Sequence, residues 1–135
     1  MNIEILKEAV LLAKNIGHVL IATADEKGLP HVAAAGRINL TSDRGSVVVE
    51  DWFCPGTMAN LQANRNTALI IWDPKMDKGY QLLGRTEKVE DTAMMNGYVP
   101  NLEDKPAFAQ VERRLFIRVK KVMAFRHSPH TDQEE

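Results

Sequence analysis

The sequence has little cysteine, little net charge and no long apolar run. Cys54 is the single cysteine, which excludes an internal disulfide framework and is compatible with a reducing compartment. No apolar run approaches the roughly 18 to 20 residues that a membrane-spanning helix needs. The N-terminal segment carries Glu4 and Glu8 among its apolar residues, and such acidic residues are not typical of a signal peptide. The formal net charge of −1 implies no broad attraction to nucleic acid or anionic lipid. We expect a soluble, cytoplasmic protein that binds neither nucleic acid nor membrane.

The sequence also has few recognisable motifs for catalysis, phosphate binding or metal binding. The chain has no glycine-rich phosphate loop of the P-loop or dinucleotide-binding type. Cys54 has no His, Asn or acid at a telling distance in sequence, so a nucleophilic thiol is disfavoured and no catalytic residue is assigned. His18, His127 and His130 show no zinc-ligand pairing with this cysteine, and no metal site is predicted.

Length and composition indicate one ordinary globular domain. The 135 residues are 44% hydrophobic and 26% charged, which suits a single core. We assign residues 1–127 to this domain and residues 128–135, which are polar, to a disordered tail.

Three helices are predicted. Apolar residues recur at helical spacing over residues 3–15, and Gly17 follows as a stop. Thr57, after a Pro-Gly break, can cap a short second helix over residues 58–64. Asp91 can cap a third helix that runs to about Gly97, followed by an irregular segment over residues 99–110.

Six short β-branched or alternating segments predict strands, over residues 18–23, 31–39, 46–50, 67–72, 80–89 and 115–123. Gly84, in the middle of the fifth, suggests a bulge that lets a sheet curl. Because helices do not alternate with strands, a parallel α/β sheet is disfavoured. The fold class is mainly β (α+β), a small six-stranded antiparallel barrel with flanking helices.

The stretch EDWFCPGTMANLQANRN, residues 50–66, is the most informative for function. A strand ends in a polar and aromatic cluster, and a helix begins shortly after it. The first turn of a helix offers free N–H groups and a positive dipole end, which suit a phosphate. A flat aromatic such as Trp52 beside it would suit a phosphorylated ring cofactor. The alternative is a plain strand-to-helix connection with a buried Trp.

Two polar strand residues allow two interpretations each, and one basic cluster allows one. Arg37 and Thr57 together could bind a phosphate, or Arg37 could be an exposed strand arginine. Gln81 can donate and accept, as the pyrimidine edge of a flavin requires, or it could be solvated. The basic residues Lys120, Lys121 and Arg126 are interpreted as the solvated face of the last strand.

Three segments in this order resemble the pyridoxamine 5′-phosphate oxidase-like, FMN-binding split-barrel family. They are GLPHVAAAGRINL, similar to a strand of that family with its arginine, TMANLQANRNTALIIW, similar to its helix and next strand, and YQLLGRTEKVED, similar to its long Gln- and Gly-bearing strand. The resemblance runs from about Leu6 to Met123. It implies a split β-barrel, an FMN cofactor and a homodimer with flavin at the subunit interface.

The resemblance also implies roles for individual residues. Those along the flavin and phosphate would be Arg37, Ile38 and Asn39. Those at the isoalloxazine edge would be Glu50, Asp51 and Trp52, with Thr57 and Met58 under the phosphate and Gln81 reaching the ring. The implied activity is that of a small oxidoreductase or electron carrier with a small-molecule electron donor or acceptor.

The chain departs from the family pattern at two places. Many members have Lys or Arg at the position of Gly56 or Thr57, and this chain has neither. The departure keeps three alternatives open: a non-catalytic flavin- or haem-binding protein, an F420-dependent oxidoreductase, and a barrel that has lost its cofactor. The C-terminal Arg and His pattern of a true pyridoxamine phosphate oxidase is not recognisable, so that substrate is not predicted.

Overall fold

Nine helices and strands follow one another in the described part of the chain. The computed structural model describes residues 1–50, 54–94, 110–129 and 131–134, with backbone alone at 92–94 and 110–112. In chain order the elements are α1 Ile3–Ile16, β1 Val19–Ala24, β2 Pro30–Ala35, β3 Arg37–Leu40, β4 Ser46–Glu50, α2 Pro55–Ala63, β5 Asn66–Asp73, β6 Lys78–Met94 and β7 Gln110–Ala124.

The seven strands form one sheet in the order β2-β1-β5-β6-β7-β4-β3, and every neighbouring pair is antiparallel. The two edge strands, β2 and β3, are consecutive in sequence and are separated by Gly36 alone. Because one residue spans the distance between the two edges, the sheet must curl back on itself. This geometry confirms the mainly β split barrel with flanking helices.

The predicted second strand, residues 31–39, is two strands. Residues before Gly36 pair with β1, and residues after it pair with β4 at the other edge. An alternating apolar pattern does not show a change of partner, because both halves remain extended. Over the described residues, the sheet therefore has seven strands where six were predicted.

Helix α1 agrees with its prediction to within one residue. The Oδ1 of Asn2 accepts hydrogen bonds from the amides of Glu4 and Ile5, at 3.0 and 3.3 Å, and so caps the first turn. Gly17 ends the helix in the left-handed region, at φ 93°. The buried stripe of the helix is Leu6, Ala9, Val10 and Ala13, which joins the inner faces of the strands in one core.

Helix α2 begins earlier than predicted, and Thr57 is not its cap. The N-cap is Cys54, with no side-chain cap bond, and Pro55 occupies the first turn. Proline suits that position because its missing N–H would have had no partner there. Thr57 lies inside the first turn and is fully buried.

Strand β6 continues where a third helix was predicted. Asp91 pairs in register with Arg113 of β7, and the two side chains form an ion pair at 3.4 Å. Pairing with a long neighbouring strand here outweighs the local capping signal. Residues 91–94 are therefore strand, and the rest of the predicted helix, with residues 99–109 of the irregular segment, lies outside the described residues.

The bulge predicted at Gly84 is confirmed. The β6–β7 register shifts between Leu83 and Gly84, leaving Lys120 as the extra residue of β7. A Cβ at Gly84 would overlap the carbonyl oxygen of Arg118, so only glycine permits this approach of the two backbones.

The C-terminal segment returns to the sheet. Residues of this segment form isolated bridges, Met123 with Glu134 and Arg126 with Thr131. None of the helices in the described ranges combines the length and hydropathy needed to cross a bilayer.

Candidate functional site

The β3–β4 corner brings three of the predicted site residues together. Arg37 lies opposite Glu50, and Asn39 lies two residues further along β3 on the same face. The side-chain amide of Asn39 donates a hydrogen bond to Oε1 of Glu50 at 3.2 Å. Ile38, between them, faces the other way and is buried in the core beside Val49. Its side chain therefore does not line this surface, although its backbone does.

A fourth residue at this corner was not recognised from the sequence. Nε of Arg114, on β7, lies 3.2 Å from Oε2 of Glu50. The partner follows from the β4–β7 register, in which Val49 lies opposite Leu115. No spacing in the sequence shows that register. We call Arg37, Asn39, Glu50 and Arg114 the polar corner.

Thr57 has a different neighbour. Its Oγ lies 3.5 Å from Nδ1 of His31, at the start of β2. The His31 ring also covers Gly56, where a Cβ would meet its Nε2 at 3.0 Å. Thr57 thus contacts β2, whereas Arg37 pairs with β4, and joint phosphate binding by the two stays a prediction. Met58 is half-buried against the core.

Gln81 lies on a different strand from the residues of the polar corner. It pairs in register with Ile70 and Met123, and its side chain is half-buried. The residue of β6 level with Arg114 is Glu90. Nine residues separate Gln81 from Glu90, which is about 30 Å along a strand at ~3.3 Å per residue. In the other direction around the curled sheet, Gln81 is level with Ile70, Leu20 and Ala34, and Ala34 precedes Arg37 by three residues.

The outward face of the sheet around Gln81 is largely apolar in the part of the chain that the structure describes. Strands β1 and β5 alternate buried side chains with half-buried ones, and all of the half-buried ones except Asp73 are apolar. We call this surface the apolar face; it consists of Leu20, Ala22, Ala24, Ala68, Ile70, Trp72, Leu83 and Phe125.

Two cavities open on the apolar face. One, of about 480 Å³, includes Leu20, Ile70 and Trp72 in its lining. The indole of Trp72 donates to Oδ1 of Asp77 at 3.2 Å and meets the Phe125 ring edge-on, with centroids 6.0 Å apart. The other, of about 420 Å³, is lined by Ala22 and Ala68, each two residues along its strand from the Leu20 and Ile70 of the first cavity. Both volumes are in the range of small-molecule sites.

Other predicted or considered residues are placed as follows. Asp51 and Trp52 lie outside the described residues. Cys54 is half-buried, and burial raises the pKa of its thiol, which opposes the reactive thiolate form. Within the described ranges, no three His, Cys, Asp or Glu side chains cluster as metal ligands would.

The sequence model of the Pyridoxamine 5'-phosphate oxidase family matches residues 5–123. The chain belongs to this family. No curated protein matches the chain. Membership agrees with the curled antiparallel sheet and with the order of its strands and helices, and leaves open which cofactor this member binds.

Solved structures of similar fold belong to proteins with different cofactors. An FMN-binding protein from Syntrophomonas wolfei is 16% identical, with a TM-score of 0.63 over 90% of this chain and 86% of that one. HutZ, the haem storage protein of Vibrio cholerae, is 10% identical, with a TM-score of 0.56 over 92% and 95%. An F420 reductase is 16% identical, with a TM-score of 0.54 over 78% and 87%. At these identities the likeness shows the fold alone.

Proposed function

We propose that this protein is an FMN-binding flavoprotein, a small oxidoreductase or electron carrier, whose flavin lies between two copies of the chain. The polar corner of one chain would bind one side of the cofactor. The apolar face of the partner, with its Gln81, would bind the other. Each homodimer would then hold two equivalent flavins.

The observation that carries this proposal is the pair of different surfaces that the fold offers to a flavin. Arg37, Asn39 and Glu50 meet at a polar corner on β3 and β4, and Gln81 lies on β6 within the apolar face, three strands from β3 in the sheet order. The family resemblance assigns both surfaces to one cofactor. A second copy related by a two-fold axis would bring the Gln81 of one chain to the corner of the other.

The apolar face supports the same arrangement. Its half-buried side chains include Ile70, Trp72 and Phe125, which form a continuous surface on the solvent side of the sheet. Contiguous apolar surface on the solvent side of a sheet marks an interaction site, and obligate dimers bury about 2,000 Å² or more in such interfaces. A flavin edge and a partner sheet would cover it together.

The residues present can hold FMN without the usual basic residue beside Thr57. Arg37 would supply the positive charge for the phosphate, and the Gln81 amide would both donate to and accept from the pyrimidine edge. Bound flavin supplies hydride or single-electron chemistry, while the protein positions it and sets the nearby charge. No catalytic acid, base or nucleophile of this chain is required.

Haem and F420 are the competing cofactors. The observation that favours them is the absence of Lys or Arg at Gly56 and Thr57, which leaves Arg37 as the main cation for a phosphate. A flavin-storing or haem-binding protein without turnover belongs to the same alternative. The small-molecule electron partner and the cytoplasmic location stay predictions.

Titration of FMN against wild type and Arg37→Ala, followed by flavin fluorescence, tests the cofactor proposal. Loss of a charge-assisted contact to phosphate costs about 1.5 to 3 kcal/mol, so we expect FMN binding to weaken roughly 10- to 150-fold. Arg126→Ala removes an exposed arginine elsewhere and serves as the matched control. Equal affinities for R37A and wild type would refute the phosphate role. Steady reduction of the bound flavin by NADH or NADPH separates an enzyme from a storage protein.

A further inference from the structure

The cavity of about 420 Å³ on the apolar face has an apolar floor and a basic rim. It opens at the β-bulge where the β6–β7 register shifts between Leu83 and Gly84. Alanines and Leu83 form the floor, and Asn66 is a polar lining residue. Both Lys120 and Lys121 line the cavity and are exposed. A concave apolar surface with a few charged groups at one side is the usual form of a small-ligand site.

The charges of this rim are not balanced as they are elsewhere on the same strand. Each described arginine of β7 pairs with a carboxylate: Arg113 with Asp91, Arg114 with Glu50 and Arg118 with Asp43. Among the described residues, no ion pair includes Lys120 or Lys121. No acidic residue lines the cavity either, within the same part of the chain. Two neighbouring cations without a carboxylate attract an anion.

The cavity also has a defined relation to Gln81. Leu83 follows Gln81 by two residues and points to the same side of β6, about 7 Å away at ~3.3 Å per residue. Charged residues are depleted at the centres of protein interfaces. The rim of the cavity that carries Lys120 and Lys121 would therefore lie at the margin of the proposed dimer interface, open to solvent. Gln81 would lie nearer the centre of that interface.

We infer that this cavity binds a small organic anion with a flat apolar body, held with its ring over Leu83 and the alanines and its charge at Lys120 and Lys121. The inference rests on the proposed function in one respect, the position of the flavin ring near Gln81. It gives the class of ligand that would lie beside that ring.

Benzoate and its neutral isostere benzamide are the probes. Calorimetric titration of each into FMN-loaded and FMN-free protein should show benzoate binding in both forms, with benzamide roughly twofold to thirtyfold weaker. Exposed charge pairs contribute about 0.2 to 1 kcal/mol each, so K120Q/K121Q should weaken benzoate binding roughly twofold to thirtyfold. The affinity for benzoate should also fall as salt is raised. In the loaded protein, benzoate should shift the visible flavin bands.

Lys75→Gln is the matched control, because Lys75 lines the other cavity of the apolar face. Equal binding of benzamide, unchanged affinity in K120Q/K121Q, loss of affinity in K75Q, or no benzoate binding at millimolar concentration would each overturn the inference. If FMN binds and benzoate does not, this inference fails while the cofactor proposal stands. If lysine-dependent benzoate binding persists in a protein that rejects FMN, the cofactor proposal fails while the anion site stands.

Discussion

Glu50 and Arg114 form an ion pair between β4 and β7, with Oε2 of the carboxylate 3.2 Å from Nε of the guanidinium. The same carboxylate accepts a hydrogen bond from Asn39. Its side chain is only 18% exposed, whereas that of Arg114 is 44% exposed. Two partners and partial burial hold Glu50 in one orientation, so this pair fixes the polar corner at the position where β4 ends.

We predict a measurable coupling between Glu50 and Arg114. In a double-mutant cycle of E50Q, R114Q and the double variant, the coupling in unfolding free energy should be about 0.5 to 1 kcal/mol, the upper part of the range for surface pairs. Lys88 and Glu90 form the control pair; they are more exposed, at 62% and 36%, so their coupling should be nearer ~0.2 kcal/mol. Equal coupling in the two cycles would show that burial does not strengthen the Glu50 pair.

Ile70→Glu should abolish the proposed dimer. Ile70 lies on the apolar face next to Leu20, and a carboxylate there would have to be desolvated against the partner. Light scattering should give twice the 15.1 kDa of one chain for wild type and the single-chain mass for I70E. Met76→Glu, at an exposed loop position, should remain a dimer. A wild-type mass of one chain would refute the dimer and, with it, the shared flavin site.

The fold was largely predictable because its signals are local. The stripe of α1, the stop at Gly17 and the bulge glycine Gly84 each act within a few residues. The break at Gly36 was missed because it changes the partner strand without changing the extended conformation. The strand conformation at Asp91 was not predicted, because it depends on pairing with Arg113, which is 22 positions away in the sequence.

The site was predictable in part for the same reason. The neighbourhood of Arg37, Asn39 and Glu50 follows once β3 and β4 are paired as a hairpin, which a short polar turn indicates. The contacts of Arg114 with Glu50 and of His31 with Thr57 could not be predicted from local sequence, since each joins residues that are distant in the chain. Only the sheet order shows that β6, which carries Gln81, lies three strands from β3, which carries Arg37.

Asp77 connects the β5–β6 turn to the C-terminal segment, and its contribution should depend on pH. The amide of His127, together with that of Ser128 and the Trp72 indole, donates to this carboxylate and holds its pKa below the usual value, against an opposing effect of partial burial. A carboxyl whose pKa is lowered on folding stabilises the protein above its unfolded pKa of about 3.9 and loses that contribution as the pH falls through the folded value.

Asp77→Asn should therefore lower the melting temperature at pH 7, and the difference from wild type should shrink below about pH 3.9. Asparagine tolerates the left-handed backbone of this position, at φ 50°, so the substitution tests the charge and the second acceptor oxygen without backbone strain. Asp132→Asn, on an exposed residue, is the control. A difference between D77N and wild type that is the same at both pH values would contradict the linkage.

An absorbance spectrum of the purified protein, recorded before and after addition of FMN and renewed desalting, tests whether the protein binds FMN. We predict the two flavin bands at about one FMN per chain, because each dimer would hold two equivalent sites. A spectrum without flavin that added FMN cannot restore would contradict it. Haem and F420 would then be tested in the same way, since Arg37 would lack the phosphate partner proposed for it.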